Sequence, residues 1–177
     1  MICLPKPWKI LSEAECDYVW DKVHAEFQFR PGNDSQIRPF VFKTPVDAYD
    51  ISDSPLWRDD DVANEIIRAG FAGCMQNDDY MYALDWQHTG FRYNPLITDA
   101  LDYPVFVEDN RYAGGGYNVY FPPFYPDGDY HFFIGRDFTW GYLTHPWLKQ
   151  AFIFGRQLMA YFSASAEKLG FRKLPEN

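Results

Sequence analysis

Three short stretches of the chain carry the side chains from which chemistry is built: Asp85-Trp86-Gln87-His88, Pro126-Asp127-Gly128-Asp129-Tyr130-His131 and His145-Pro146-Trp147. Each sets a carboxylate or an imidazole beside a bulky ring. On strand spacing, Asp127, Asp129 and His131 project to one face, because residues two apart lie on the same side of a sheet. Were His88 or His145 to meet that face, two imidazoles and two carboxylates would suit a divalent ion and the activation of its bound water. The same residues also have a plain structural reading. Asp127-Gly128 between strand-like stretches is a hairpin signal, and His131 reads as a strand histidine with one edge toward solvent. No compact signature such as H-E-x-x-H is present, so neither a metal nor a cofactor is expected from the sequence.

Other chemistries find less support. Ser12, Ser35, Ser52, Ser54, Ser163 and Ser165 fall in caps, loops or a helix, and none stands in the G-x-S-x-G pattern of a hydrolase nucleophile. Gly114, Gly115 and Gly116 are not followed by the Lys, Ser or Thr of a phosphate-binding loop and read as a flexible turn. Cys3, Cys16 and Cys74 are odd in number and widely spaced, which argues against a disulfide framework or a zinc knuckle and for a reducing cytoplasm. Cys74 lies on an apolar helical stripe, where a thiol is buried and inert.

The elements that must position these residues follow from periodicity. Ser12 with Glu15 forms a capping box, and Cys16, Val19, Trp20, Val23 and Phe27 keep helical spacing, so a helix is expected from about Glu13 to Phe27. Arg38 to Thr44 reads as a strand closed by Pro45, with a weaker strand around Ala48 to Ile51. A second helix should start near Ser54-Pro55, with Asp59, Asp60 and Asp61 at its positive end, and run to about Met75. Tyr80 to Leu84 and Phe91 to Tyr93 predict two strands meeting near Thr89 and Gly90. Residues 95 to 126 look long and irregular, the kind of loop that carries function. Asp129 to Gly135 and Phe138 to Leu143 predict a hairpin, Lys149 to Phe154 a last strand, and Gly155 to Gly170 a closing helix. The sum is an α+β fold: a mostly antiparallel sheet with an N-terminal, a middle and a C-terminal helix packed on one of its faces.

Composition sets the broad class. At 177 residues one domain, spanning 1–177, is expected, with one sizeable core. Aromatic residues make up 20% of the chain, more than a core of this size calls for, and suggest a recognition surface or a ring-lined groove. The net charge of −9 disfavours nucleic acid and anionic lipid and leaves a basic protein as the plausible partner. Neither a signal peptide nor a run of about 18 apolar residues is found, so export by that route and membrane embedding are not expected.

Taken together, Trp20, Phe27-Gln28-Phe29-Arg30-Pro31, Ala83-Leu84-Asp85-Trp86-Gln87-His88, Tyr93-Asn94-Pro95, Pro126-Asp127-Gly128-Asp129-Tyr130, Asp137-Phe138 with Gly141, His145-Pro146-Trp147 and Phe154-Gly155 resemble the bacterial family of domain of unknown function 2716. The matching parts span most of the chain in order. The resemblance implies that Asp85, Trp86, His88, Asp129, His145 and Trp147 form a shared feature, and it implies no reaction. The chain departs from the family pattern at Thr144, where the pattern has Gly, and at His131, where it has an aromatic residue.

Two functions follow as expectations. The first is a cytoplasmic binding protein, an immunity or antagonist protein that blocks a basic partner through an acidic face anchored by Tyr112, Tyr117, Tyr120 and Phe124. The second is a small-ligand binder or metal-assisted hydrolase in which His88, Asp129 and His145 converge between Trp86 and Trp147. Without a compact catalytic signature, the balance leans away from an enzyme.

Overall fold

The structure is a computed structural model and describes residues 5–32 and 38–176. Cys3 and Ser35 lie outside those residues. Eight strands form one sheet in the order β1 (Trp8–Ile10), β4 (Gly90–Tyr93), β3 (Met81–Asp85), β7 (His131–Ile134), β8 (Gly141–His145), β9 (Gln150–Phe154), β2 (Val46–Asp50) and β10 (Arg172–Lys173). Every pairing in it is antiparallel. The three helices are α1 (Glu13–Phe27), α2 (Asp61–Cys74) and α3 (Arg156–Leu169). The α+β class read from the sequence is the observed one.

The helices do not share a face, as the sequence led us to expect. Val19, Val23 and Phe27 of α1 pack with Leu84, Phe132, Leu143 and Phe154 on one side. On the other, Ile67 and Phe71 of α2 and Leu158 and Phe162 of α3 pack with Met81, Phe133, Tyr142 and Ile153. Successive strand residues face opposite ways, so β7 and β8 are buried at every position. Covering both faces asks for apolar side chains on both, which is where most of the aromatic excess goes. The rings that looked like a recognition surface are chiefly the filling of two cores.

Local chemistry sets the helix ends. Ser12 Oγ accepts from the Glu15 amide at 3.3 Å while the Glu15 carboxylate accepts from the Ser12 amide at 2.9 Å, completing the capping box that starts α1. The single helix expected after Pro55 is two pieces. Ser54 caps a short 3-10 turn, Pro55–Arg58, and Asp60 separately caps α2 by accepting from the Ala63 amide at 2.9 Å. Where α2 and α3 cross, a Cβ on Gly70 would stand 2.6 Å from the Tyr161 ring, so only glycine permits this approach.

Two further expectations are revised. Residues 38–44 form no strand; they run beside the end of α1 with isolated bonds, Val41 to the Phe27 carbonyl at 2.7 Å and Arg30 to the Pro39 carbonyl at 2.9 Å. Pro39 and Pro45 lack the donors a ladder needs, yet Phe40 still reaches the core. The stretch from 95 to 126 is not structureless, because β5 (Val105–Glu108) and β6 (Gly116–Val119) pair within it as a separate hairpin whose turn uses Gly115 at φ 76°. Among the described residues no helix is long and apolar enough to cross a membrane.

Candidate metal centre

Strand register builds the site. β3 pairs with β7 so that Asp85 stands opposite His131, at the edge of the core covered by α2 and α3. The chain then turns from β3 into β4: the His88 amide donates to the Asp85 carbonyl at 3.0 Å and Gln87 takes a left-handed φ of 66°. This tight return carries the His88 ring back over Asp85. The turn before β7 brings the other acids, and it needs Gly128, whose φ of 128° side chains rarely adopt.

Asp85 thereby gains His88, Asp129 and His131 as near neighbours, with Asp127 beside His131. His88 Nδ1 lies 3.1 Å from Asp85 Oδ1 and 3.3 Å from Asp129 Oδ2. One ligand atom from each of Asp85, His88 and Asp129 falls within 4.8 Å of the others. On the inner side, His131 Nε2 is 3.8 Å from Asp85 Oδ1 and 3.1 Å from Asp127 Oδ1. The second separation has the length of a hydrogen bond without its direction, and Nε2 is buried with no hydrogen-bond partner. The other ring nitrogen, Nδ1, lies 2.9 Å from the Pro123 carbonyl. A carbonyl can only accept, so Nδ1 carries the proton. The Thr144 hydroxyl holds the backbone of His131, accepting from its amide at 3.0 Å and donating to its carbonyl at 3.3 Å. Thr144 and His131 therefore touch.

Burial pushes the Asp85 carboxyl above its ordinary range even though His131 and His88 pull the other way. Burial opposes charge on His88, but the Asp85 and Asp129 carboxylates outweigh it and raise the imidazole above its usual value. The neighbouring His131 ring holds the Asp127 carboxyl low. Among the described residues no Lys or Arg pairs with any of these three aspartates; their ionic neighbours are His88 and His131.

Of the six residues expected to form a shared feature, the structure gathers three, Asp85, His88 and Asp129. The other three, Trp86, His145 and Trp147, lie on the opposite face around Tyr130. The Tyr130 ring centre is 5.9 Å from Trp86, 5.1 Å from His145 and 5.5 Å from Trp147. His145 cannot join His88 because β8 alternates: Thr144 faces His131 across the ladder and His145 points the other way. His145 Nδ1 accepts from the Leu148 amide at 3.3 Å, which closes the turn into β9. Burial holds this imidazole below its usual pKa. The spacing of the sequence links Asp127 and His131 to Asp129, yet the expected shared feature does not include them. Strand alternation is not what unites the three, since β7 begins only at His131.

The expected partner anchors divide as well. Tyr112, Tyr117 and Tyr120 are exposed on or beside the β5–β6 hairpin, whereas Phe124 is 3% exposed and packs on Phe71 and Phe133. Phe124 is thus a core residue and no surface anchor. A groove of about 760 Å³ lies over β2 and β9 and is lined by Phe40, Val46, Phe152 and Met159; it includes none of the clustered residues.

Comparison with known proteins adds kinship without chemistry. The chain is 32% identical over 161 residues to the uncharacterized protein YxiI of Bacillus subtilis (strain 168), covering 86% of this chain and 90% of that protein. No solved structure matches. The family model described as protein of unknown function (DUF2716) matches residues 10–159, which include every member of the cluster, and the chain belongs to that family.

Proposed function

We propose that the protein binds a divalent transition-metal ion through Asp85, His88 and Asp129 and presents it to a substrate or ligand. The observation that carries this reading is the convergence of three ligand atoms within 4.8 Å of one another. The mixed set of imidazole and carboxylate suits zinc, manganese or iron better than calcium, which takes oxygen ligands. His88 is 62% exposed, so an ion here keeps positions open to solvent, as catalytic rather than structural sites do. The chemistry available is Lewis-acid polarisation and the generation of a bound hydroxide. Free Cys16 and Cys74 suit a reducing, cytoplasmic setting.

Calorimetric titration of chelator-stripped protein with zinc and manganese tests the reading. Micromolar or tighter binding is expected, weakened more than about tenfold in His88→Ala and Asp129→Asn, since disturbing even outer partners of a metal costs that much. An isotherm with no heat, in protein that is folded by circular dichroism, ends it.

A second reading rests on a different observation: Phe106, Tyr112, Tyr117 and Tyr120 are all more than a third exposed. Such exposed rings, spread over both faces of the hairpin, on a chain of net charge −9 fit the docking of a basic protein, the partner an immunity or antagonist protein would block. Its test is salt-sensitive capture of a host protein that Tyr112→Ser with Tyr120→Ser abolishes. Capture that survives both the substitutions and high salt would rule these rings out.

A further inference from the structure

We infer that the protein binds a small dianionic oxyanion, a phosphate or a dicarboxylate, in the pocket where β4 ends and β3 begins beside the edge strand β1. The pocket holds about 360 Å³, and its lining includes Lys6, Lys9, Asp79, Tyr80, Arg92 and Asn94. That volume is at the small end of the range for small-molecule sites. The inference does not rest on the metal reading. Tyr80 precedes β3 while Asp85 ends it, and no residue of the metal cluster lines the pocket.

Charge carries the argument. In a chain with 16 basic residues against 25 acidic ones, four cations gather at this one concavity. Register sets Lys9 of β1 directly opposite Arg92 of β4. Like charges facing each other across a ladder destabilise it, a cost that a bound anion would relieve. The Arg92 and Arg136 guanidinium groups lie 4.4 Å and 4.7 Å from the centre of the same Tyr80 ring, which holds a third cation beside the pocket. Lys6 is the fourth. Two acids answer them: Glu15 pairs with Arg92, and Asp79 with Arg136 at 3.4 Å. Among the described residues the lysines with a carboxylate partner are Lys43 and Lys173, so exposed Lys6 and Lys9 have none. The surplus of two positive charges sets the charge of the ligand.

The remaining polar groups supply donors. Asn94 Oδ1 is taken by the Leu96 amide at 2.9 Å, which leaves the side-chain NH2 to donate. Guanidinium and ammonium groups make charge-assisted hydrogen bonds of the kind that phosphate and carboxylate oxygens accept. The net charge of −9 opposes long anionic polymers. For a small ion the local surplus decides, because salt screens the rest of the surface beyond about 8–10 Å.

The test is a proton–nitrogen NMR titration of the full-length protein with sodium phosphate and, separately, sodium succinate. It is run under mildly alkaline conditions, where phosphate is a dianion, with sodium chloride holding ionic strength constant. Saturable shifts are expected at the amides of Lys6, Lys9, Tyr80, Arg92 and Asn94, and none at Tyr112 or Tyr117 on the distant hairpin. Tighter binding of phosphate would identify a phosphorylated ligand and tighter binding of succinate a dicarboxylic acid; either supports the site. Lys6→Gln and Lys9→Gln should each weaken binding about tenfold, the loss of one hydrogen bond to a charged group. Both side chains are exposed, so both variants should fold, and Lys9→Arg, which keeps the charge, should bind as the parent does. Shifts that match a chloride series, rise without saturating or survive both glutamine substitutions at full strength overturn the inference.

Discussion

Two clusters occupy the same end of the sheet and differ in almost everything but address. On the α2/α3 face, Asp85, His88, Asp127, Asp129 and His131 form a charged group with two members largely exposed. On the α1 face, Trp86, Tyr130, His145 and Trp147 form an aromatic nest backed by Phe29. Three neighbouring pairs divide between the two faces: Asp85 from Trp86, His131 from Tyr130 and Thr144 from His145. The period of two sends one member of each pair to each face. A single motif in the sequence is therefore two sites in space, and a carboxylate can stay close to water while the ring beside it is packed away.

The comparison predicts that substitutions on one face leave the other's property alone. The largest effect should come from Phe29→Ala, which empties a ring position contacting Tyr130, Phe132 and Trp86. Urea unfolding should show a loss of about 3–5 kcal/mol, with metal affinity unchanged in the folded fraction. Asp85→Asn should do the converse: affinity falls more than about tenfold, or about 1.4 kcal/mol, while the metal-free protein unfolds at the same or a higher urea concentration because one of three mutually repelling carboxylates is gone. A metal-free Asp85→Asn that is strongly destabilised would show that the charged face is structural after all.

A smaller effect concerns His145. Its folded pKa lies below the unfolded value, so the neutral ring's contribution is intact above about pH 6.5 and is lost as pH falls toward the folded pKa. Stability measured from pH 7 down to pH 5 should therefore decline less steeply in His145→Gln than in the parent. An identical slope would mean the nest tolerates the charge. The smallest effect belongs to Tyr112→Ser with Tyr120→Ser on the exposed hairpin, which should change stability by less than about 0.5 kcal/mol and leave metal binding intact.

How much of this was legible in the sequence follows the range of the interactions. The ends of α1 and α3 could be read because caps and stripes act within a few residues: Ser12 with Glu15 at one, Gly170 at the other. Asp85 and His88 were readable together because one turn joins them. Asp129 joins them only through the pairing of β3 with β7, and His131 lines up with Asp85 only through register, which no single sequence displays. The misplacing of His145 has the same origin. Residues 38–44 looked like a strand because they are apolar, yet they lie against α1 rather than in a ladder. The short β5 and β6 were hidden by prolines and glycines that read as loop.

The Pro123 carbonyl ties the buried histidine to the stretch that leads back from the exposed hairpin. Between the two, Phe121 and Phe124 are sunk in the core on either side of Pro122-Pro123. Buried rings on both sides of that carbonyl should act like a clamp on a cable, stopping displacements at Tyr112 or Tyr117 before they reach His131. The proposed partner at the hairpin and the proposed ion at the cluster should thus bind without changing one another's affinity.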